Sequence, residues 1–420
     1  MNASSLLQSY QHFGVHLGLE RIHQLLQKLD NPHKQVPIIH VAGTNGKGSV
    51  CAYLSSVLTE AGYRVGRYTS PHLIDWTERI CINQKPISPT ELQQCLERVV
   101  VATENNTETP TQFEIITAAA WLYFDEQKTD IAVIETGLGG RLDATNVCET
   151  PLASVITSIS LDHWQILGPT VADIAGEKAG ILKAKCPAVI GELPESARIV
   201  VEKRIQELDC PATWVKPAID LGQGFAEYQL NQNAVKIKYL LPLLGKIQLM
   251  NSAIAIATLQ TLQNQGWQIS PTAIANGIAK TQWPGRLQQT AWKNRNILID
   301  GAHNPAAAIA LREYVDRLNN HPSPINWVIG ILATKDCDDI LKALLKKGDR
   351  LYLVPVPDQN SSSPAELATL AQSICPELTL CQAFPDLTTA LDAAVTGDNL
   401  TILCGSLYLV GYFLQQQSQA

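Results

Sequence analysis

Nowhere in the 420 residues does an apolar run approach the ~18 that a membrane span requires, so no membrane partner is expected. The ten cysteines are scattered. No Cys-x-x-C occurs and no close Cys/His pair, which argues against a zinc site and predicts free thiols in a reducing, cytoplasmic compartment. The N-terminus lacks a basic segment followed by an apolar one, so no signal peptide is evident. Positive charge is also short. The 32 Lys and Arg face 39 Asp and Glu, a net charge of −7 with a pI near 5.7, which argues against nucleic acid as a partner. No internal repeat or long low-complexity tract is visible.

What is present suits a soluble α/β protein. With 45% hydrophobic residues the chain can bury sizeable cores, and its length suggests two or three domains. The organising stretch is HVAGTNGKGSV, residues 40–50. PIIHVA before it reads as a buried strand, and CAYLSSVLTEAGY after it has helical spacing. Gly43, Gly46 and Gly48 let the backbone turn its N–H groups toward an anion, at the positive end of a helix dipole. Lys47 can then reach outer phosphates and the Ser49 hydroxyl a magnesium ion. The stretch departs from G-x-x-x-x-G-K-[S/T]: Val41 stands at the first Gly, and Gly48 separates Lys47 from Ser49. The plain alternative is a glycine-rich turn with a surface lysine.

Taken in order, residues 5–29 carry two helical patterns broken around Gly14 and Gly18. RVGRYTSPHL is a strand running into a turn at Ser70-Pro71, and ERICIN another strand. Ser88 to Glu91 form a capping box with Pro at the first helical position, opening a helix to about Ala102. Residues 113–124 read as a buried helix. IAVI then ends in Glu135, a strand delivering a carboxylate at the edge where ligands of open α/β sheets gather. ASVITSISLDH repeats that pattern, with Asp162 and His163 at a strand end. TVADIAGEKAGIL is a helix carrying Glu177 and Lys178. Residues 192–246 are less regular and include an antiparallel hairpin. A helix begins at Asn251, another follows, and Trp283-Pro284-Gly285 closes the region. After Arg286, strands and helices alternate to the end, as in a second parallel sheet with covering helices.

A lone strand-end carboxylate, Ser or His can be an ordinary surface residue. The glycine loop, Ser70, Glu135 and His163 form a set, and such oxygen and imidazole ligands suit magnesium bound partly through ATP phosphates. Asn251 alone reads as a helix N-cap. Arg286 alone reads as a surface residue beside a turn, Asp300 as an Asx-turn, and Lys178 as a solvated lysine beside Glu177.

HVAGTNGKGS, TSPHL, IETGLGGRLDATN, TSISLDH, GEKAGI, WPGRLQ, LIDGAHNPAA and LCGS occur in this order. Together they resemble folylpolyglutamate synthase/dihydrofolate synthase, a branch of the Mur ligase superfamily, over nearly the whole chain. The resemblance implies an α/β fold of two domains with the active site in the cleft between them. Residues 1–286 would form a P-loop ATP-binding domain of Mur ligase type and 287–420 a Rossmann-like domain. It implies ATP contacts from Thr44, Asn45, Gly46, Lys47, Gly48 and Ser49, then from Asn251, Arg286 and Asp300. Ser70, Glu135 and His163 would be metal ligands, for two magnesium ions in all. Lys178 would be a carbamylated lysine, and His303 is a candidate base. Val15, His16, Leu17, Phe113, Glu114, Ile115, Ile116, Leu142, Asp143 and Ala144 would lie near the pterin-bearing substrate.

The implied reaction joins L-glutamate to dihydropteroate or a reduced folate through an acyl phosphate, giving an amide, ADP and phosphate. The enzyme would act as a monomer. Bifunctional bacterial members often carry an acidic residue where this chain has His16, a departure that bears on dihydropteroate use. A cell making folate de novo needs both activities, which favours bifunctionality. Three other readings compete. A peptidoglycan Mur ligase would need a UDP-binding domain ahead of the phosphate loop, where 40 residues precede Val41. A P-loop kinase leaves DGAHNP and PGR without a purpose. A non-catalytic nucleotide switch would not need the metal-ligand set.

Overall fold

Residues 3–10, 16–104, 108–229, 235–318 and 324–419 are described by the computed structural model. The chain divides into two compact units. One comprises Met1–Ser160, Trp164–Pro242 and Gln248–Gln282, the other Leu161–His163, Leu243–Ile247 and Trp283–Ala420.

The first unit opens with α1 (Ala3–Gln8) and α2 (Glu20–Lys28), whose Ile22, Leu25 and Leu26 are fully buried. The strand–loop–helix expected around the glycines is present as β1 (Ile38–Ala42) and α3 (Lys47–Glu60). Next come β2 (Val65–Tyr68), β3 (Ile80–Ile82) and β4 (Lys85–Pro86), then α4 (Pro89–Thr103) and α5 (Gln112–Glu126). Reciprocal capping boxes, Ser88 with Glu91 and Thr111 with Glu114, set the starts of α4 and α5. Strand β5 (Ile131–Glu135) ends on its carboxylate as expected. After it lie β6 (Ala153–Ile156), α6 (Trp164–Leu167), α7 (Val171–Ala179), β7 (Ala188–Ile190), α8 (Glu195–Glu207) and β8 (Ala212–Trp214).

These strands form one sheet in the order β4-β3-β2-β5-β1-β6-β7-β8, parallel from β2 to β8 with β3 and β4 antiparallel at one edge. β1, β5 and β6 are buried along their whole length, as central parallel strands covered by helices must be. A separate three-stranded antiparallel sheet follows: β9 (Ile219–Gly222), β10 (Phe225–Tyr228) and β11 (Ile237–Leu240). Its β10–β11 pairing is the expected hairpin. Helices α9 (Ile247–Asn264) and α10 (Pro271–Ala279) close the unit.

The second unit is a six-stranded sheet. Its elements are β12 (Gln288–Trp292), β13 (Arg295–Ile299), α11 (Pro305–Leu318), β14 (Asn326–Ile329), α12 (Cys337–Leu344) and β15 (Arg350–Leu353). They continue with α13 (Pro364–Ile374), β16 (Leu380–Ala383), α14 (Leu387–Ala394), β17 (Thr401–Cys404) and α15 (Leu407–Gln419). The order is β12-β13-β17-β14-β15-β16, parallel except for β12. Trp327, Ile329, Leu351 and Leu353 anchor its core against α11 and α12. Among the described residues no helix is long and apolar enough to cross a membrane.

Three expectations need correction. Residues 157–163 do not extend β6, which stops at Ile156; Asp162 and His163 therefore lie in a loop, not at a strand end. Helix α9 starts at Ile247, so Asn251 is inside the helix, 3% exposed, and is no N-cap. The region 192–246 contains the 13-residue helix α8, which buries only Ala197 and Val201 and so lacks the apolar stripe that marks a helix.

Candidate active site

The phosphate loop follows β1 with Gly43 at φ +154, where a Cβ would overlap Thr157 Oγ1. Gly46, at φ +87, caps α3 without a side-chain bond, and a Cβ there would strike Asn251 Oδ1. Both positions need glycine, one for close approach and one for its left-handed backbone. Residues after β6 staple the loop. Thr44 N donates to Ser158 O at 2.7 Å, and Asn45 N to Ser158 Oγ at 3.1 Å. Thr157 Oγ1 and Ser158 Oγ both donate to Asn45 O, at 2.7 and 3.0 Å. Thr44 Oγ1 donates to Ser160 O and accepts from Ser160 N. That pairing is why β6 ends early: the backbone beyond Ile156 serves the loop.

Lys47 leans over its own loop, donating to Gly43 O at 3.1 Å and Thr44 O at 3.3 Å, with its ammonium 4.0 Å from Glu135 Oε1. Glu135 is 5% exposed, and its other oxygen accepts from Ser70 N at 3.3 Å. The structure thus brings Ser70 and Glu135 together beside Lys47. Ser70 meets Glu135 through its backbone N–H; a serine hydroxyl and a buried carboxylate are hard oxygen donors of the kind magnesium takes, so the residue types fit the ion. Among the described residues, no group of three His, Cys, Asp or Glu side chains is placed to hold a metal.

Lys178, on α7, is no solvated lysine. It is 5% exposed and donates to Gly43 O at 2.7 Å, while the neighbouring Glu177 pairs with Arg141. Behind the loop, Asn251 Nδ2 donates to Gln248 Oε1 at 3.1 Å, and Gln248 Nε2 lies 3.5 Å from Ser49 Oγ.

The loop GLGGRLDATN is held by its own aspartate. Asp143 accepts from Leu138 N at 2.7 Å, Thr145 N at 3.0 Å and Thr145 Oγ1 at 2.5 Å, and burial pushes its carboxyl above the usual range. Thr145 Oγ1 also meets His40 Nε2 at 2.9 Å; burial, then the charge of Lys183, lowers His40 to about 3. Phe113 lies against Gly137, where a Cβ would meet its ring. Among the residues expected near the acceptor, His16, Leu17, Phe113 and Leu142 present surface. Glu114, Ile115, Ile116, Asp143 and Ala144 are buried, and Val15 lies outside the described residues.

The second unit gathers the remaining candidates. Asp300 makes the Asx-turn: Ala302 N donates to Oδ1 at 2.8 Å, and Leu287 N to Oδ2 at 2.9 Å. Burial raises its carboxyl, offset by Arg286. His303 Nδ1 lies 2.7 Å from Gly301 O, and burial followed by the charge of Lys335 lowers it to about 4. Its Nε2 is 3.9 Å from Asp162 Oδ2. Asp162 also binds Lys335 Nζ at 2.7 Å and accepts from Asn304 Nδ2 at 3.3 Å. Burial alone would raise the Asp162 carboxyl, but Lys335, His163 and His303 hold it well below the usual range. His163 Nε2 is 3.2 Å from Lys335 Nζ. Sequence reading missed Lys335, a single lysine within GILATKDCDD with no motif of its own.

Two family models match the chain: Mur ligase middle domain over residues 41–259, and Dihydrofolate synthetase, C-terminal domain, over 285–416. A probable dihydrofolate synthetase of Schizosaccharomyces pombe is 36% identical over 94% of this chain and 97% of its own length. This chain belongs to the dihydrofolate synthase/folylpolyglutamate synthase family. Within that family, the Bacillus subtilis dihydrofolate synthase/folylpolyglutamate synthase is 38% identical, covering 82% of each chain. The structure of Mycobacterium tuberculosis folylpolyglutamate synthase complexed with ADP superposes with a TM-score of 0.86 at 30% identity, covering 98% of this chain and 97% of that one. The first family model takes in the glycine loop, and the second takes in the whole six-stranded sheet.

Proposed function

We propose that this chain is a cytoplasmic, monomeric ATP-dependent ligase that joins L-glutamate to dihydropteroate and to the γ-carboxyl of reduced folate glutamates. The observation that carries this reading is the meeting of the phosphate loop, Lys47 and the Ser70–Glu135 pair in the first unit. The Dihydrofolate synthetase description of the model matched by 285–416 supports dihydropteroate as one acceptor, despite His16. Ten free cysteines suit a reducing compartment.

The acceptor carboxylate must attack the γ-phosphorus of ATP, and both groups are anionic. Gly46, Gly48 and Ser49 would cradle the phosphates, while Thr44 and Asn45, whose amides donate to Ser158, would set the shape of the loop around the nucleotide; Lys47 would stabilise charge spread over the transferring oxygens. Ser70 and Glu135 would hold magnesium, which supplies charge neutralisation when bound. His163 is carried as a further ligand, and Asn251, Arg286 and Asp300 as nucleotide contacts. The acyl phosphate must be kept from water until the neutral amine of glutamate attacks. His303, donating from Nδ1 to Gly301 O, would offer Nε2 as an acceptor; at about 4 it suits orienting the amine better than draining its proton. Collapse of the tetrahedral adduct gives the amide and phosphate.

Lys178 would work as a carbamate. Its buried amine, losing a proton, adds to carbon dioxide and becomes an anion on a long stem, a donor for a second magnesium ion. The deciding assay is ADP release from ATP. It should require glutamate together with dihydropteroate or tetrahydrofolate, and an ¹⁸O label in the acceptor carboxylate should appear in the phosphate. ADP release indifferent to both acceptors would overturn the reading.

A further inference from the structure

Arg21, on α2, is 9% exposed, and its guanidinium joins the backbone just ahead of α2 to the segment that opens α5. Its Nε lies 3.2 Å from both oxygens of Glu114, itself 2% exposed. Nη1 donates to Glu108 at 3.1 Å, and Nη2 to the backbone carbonyl of His16 at 2.9 Å. Glu114 is fixed in turn by Thr111, whose N and Oγ1 donate to it at 2.7 and 2.9 Å. Close by, Gly18 N approaches Leu142 O at 3.5 Å, and Phe113 lies against Gly137. One side chain therefore ties together His16, the start of α5 and, through their neighbours, the loop around Leu142.

Stability is a poor explanation for this arrangement. Ile22, Leu25 and Leu26 already seat α2 in the core, and the desolvation of a buried ion pair commonly offsets its attraction. What an apolar contact lacks is direction. A planar fork can hold a carboxylate and a backbone carbonyl at once, which an ammonium cannot do in the same geometry. The held carbonyl belongs to His16, whose side chain is exposed beside the half-buried Leu17.

We propose that Arg21 is a positioning residue for the acceptor: it sets His16, Leu17 and Phe113 against the loop bearing Leu142, and so governs affinity for the pterin-bearing substrate and not for ATP. This rests on the proposed ligase function and on the family resemblance, which implies that those segments lie near the acceptor. The test compares full-length wild type with Arg21→Lys, which keeps charge and loses the fork. It adds Arg21→Met, in which Thr111 still donates to the Glu114 carboxylate from N and Oγ1. For each, KM is measured for ATP, glutamate and whichever of dihydropteroate or tetrahydrofolate the wild type uses, with kcat and the melting temperature.

The expected result is an acceptor KM raised about tenfold, with kcat at saturating acceptor and the ATP KM changed by less than about twofold. A folded variant with wild-type acceptor KM overturns the proposal. So does a parallel rise in all three KM values, the mark of a structural role. If Arg21→Lys does not fold, Arg21→Met decides by the same criteria, and failure of both to fold overturns the assignment in favour of a purely structural pair. A wild-type chain that turns over neither acceptor overturns the functional reading first and this assignment with it.

Discussion

Lys178 Nζ donates to the carbonyl oxygen of Gly43 across 2.7 Å, joining α7 to a phosphate loop 135 residues earlier in the chain. A lysine so placed is within reach of whatever the loop binds. If it acts as a carbamate, stripping bicarbonate should lower activity, and Lys178→Ala should be nearly inactive yet partly restored by short carboxylic acids. Wild-type turnover in Lys178→Ala would leave the lysine as a packing residue only.

Lys47→Ala should keep its fold, because the lysine's described partners are carbonyls of its own loop and Glu135 at 4.0 Å. Turnover should fall by about 10²–10³-fold, the usual loss when one preorganised charge-stabilising donor is removed. Circular dichroism and kcat together check this. Near-normal kcat in the folded variant would remove Lys47 from the chemistry.

Glu135→Gln keeps shape and removes charge. The magnesium concentration for half-maximal activity should rise about tenfold or more, while binding of ATP measured without metal changes little. An unchanged magnesium dependence would remove Glu135 from metal binding.

Acid should destabilise the first unit through His40. The unfolded imidazole takes a proton below about 6.5, the folded one only below about 3, so the unfolded state binds more protons between these values. The stability is present above 6.5 and is lost as the pH falls toward 3. At pH 5 the loss is about 2 kcal/mol from this group. His33, lowered to about 4 by burial and then by Lys34 and His23, acts in the same direction. Urea midpoints at pH 7 and pH 5 measure the effect, and His40→Gln should flatten the slope. Equal slopes in variant and wild type would exclude His40 as its source.

Local signals explain what was legible. The glycine loop, Glu135 at the end of β5 and the capping box at Ser88 each complete their argument within about a dozen residues. VITSIS alternates like a strand, yet its second half pairs with the phosphate loop, a choice made 113 residues away. Lys335 acquires its role from Asp162, 173 residues upstream, and Arg21 from Glu114, 93 residues downstream. Such pairings depend on tertiary proximity, which no periodicity encodes. Helix α8 escaped for the opposite reason: it lies on the surface with two buried side chains and has little pattern to read.

The staple between Ser158 and the phosphate loop has a thermodynamic consequence. Thr44 and Asn45 already donate their amides within the first unit, at 2.7 and 3.1 Å. Ordering a backbone costs roughly 1–2 kcal/mol per residue, and here that loss falls on folding, so nucleotide affinity is not reduced by it. Those two amides should exchange with deuterium slowly even in the free protein. Ser158→Ala, which takes away the Asn45 acceptor, should speed exchange at Asn45 and weaken ATP binding through entropy, with the contacts to the phosphates unchanged.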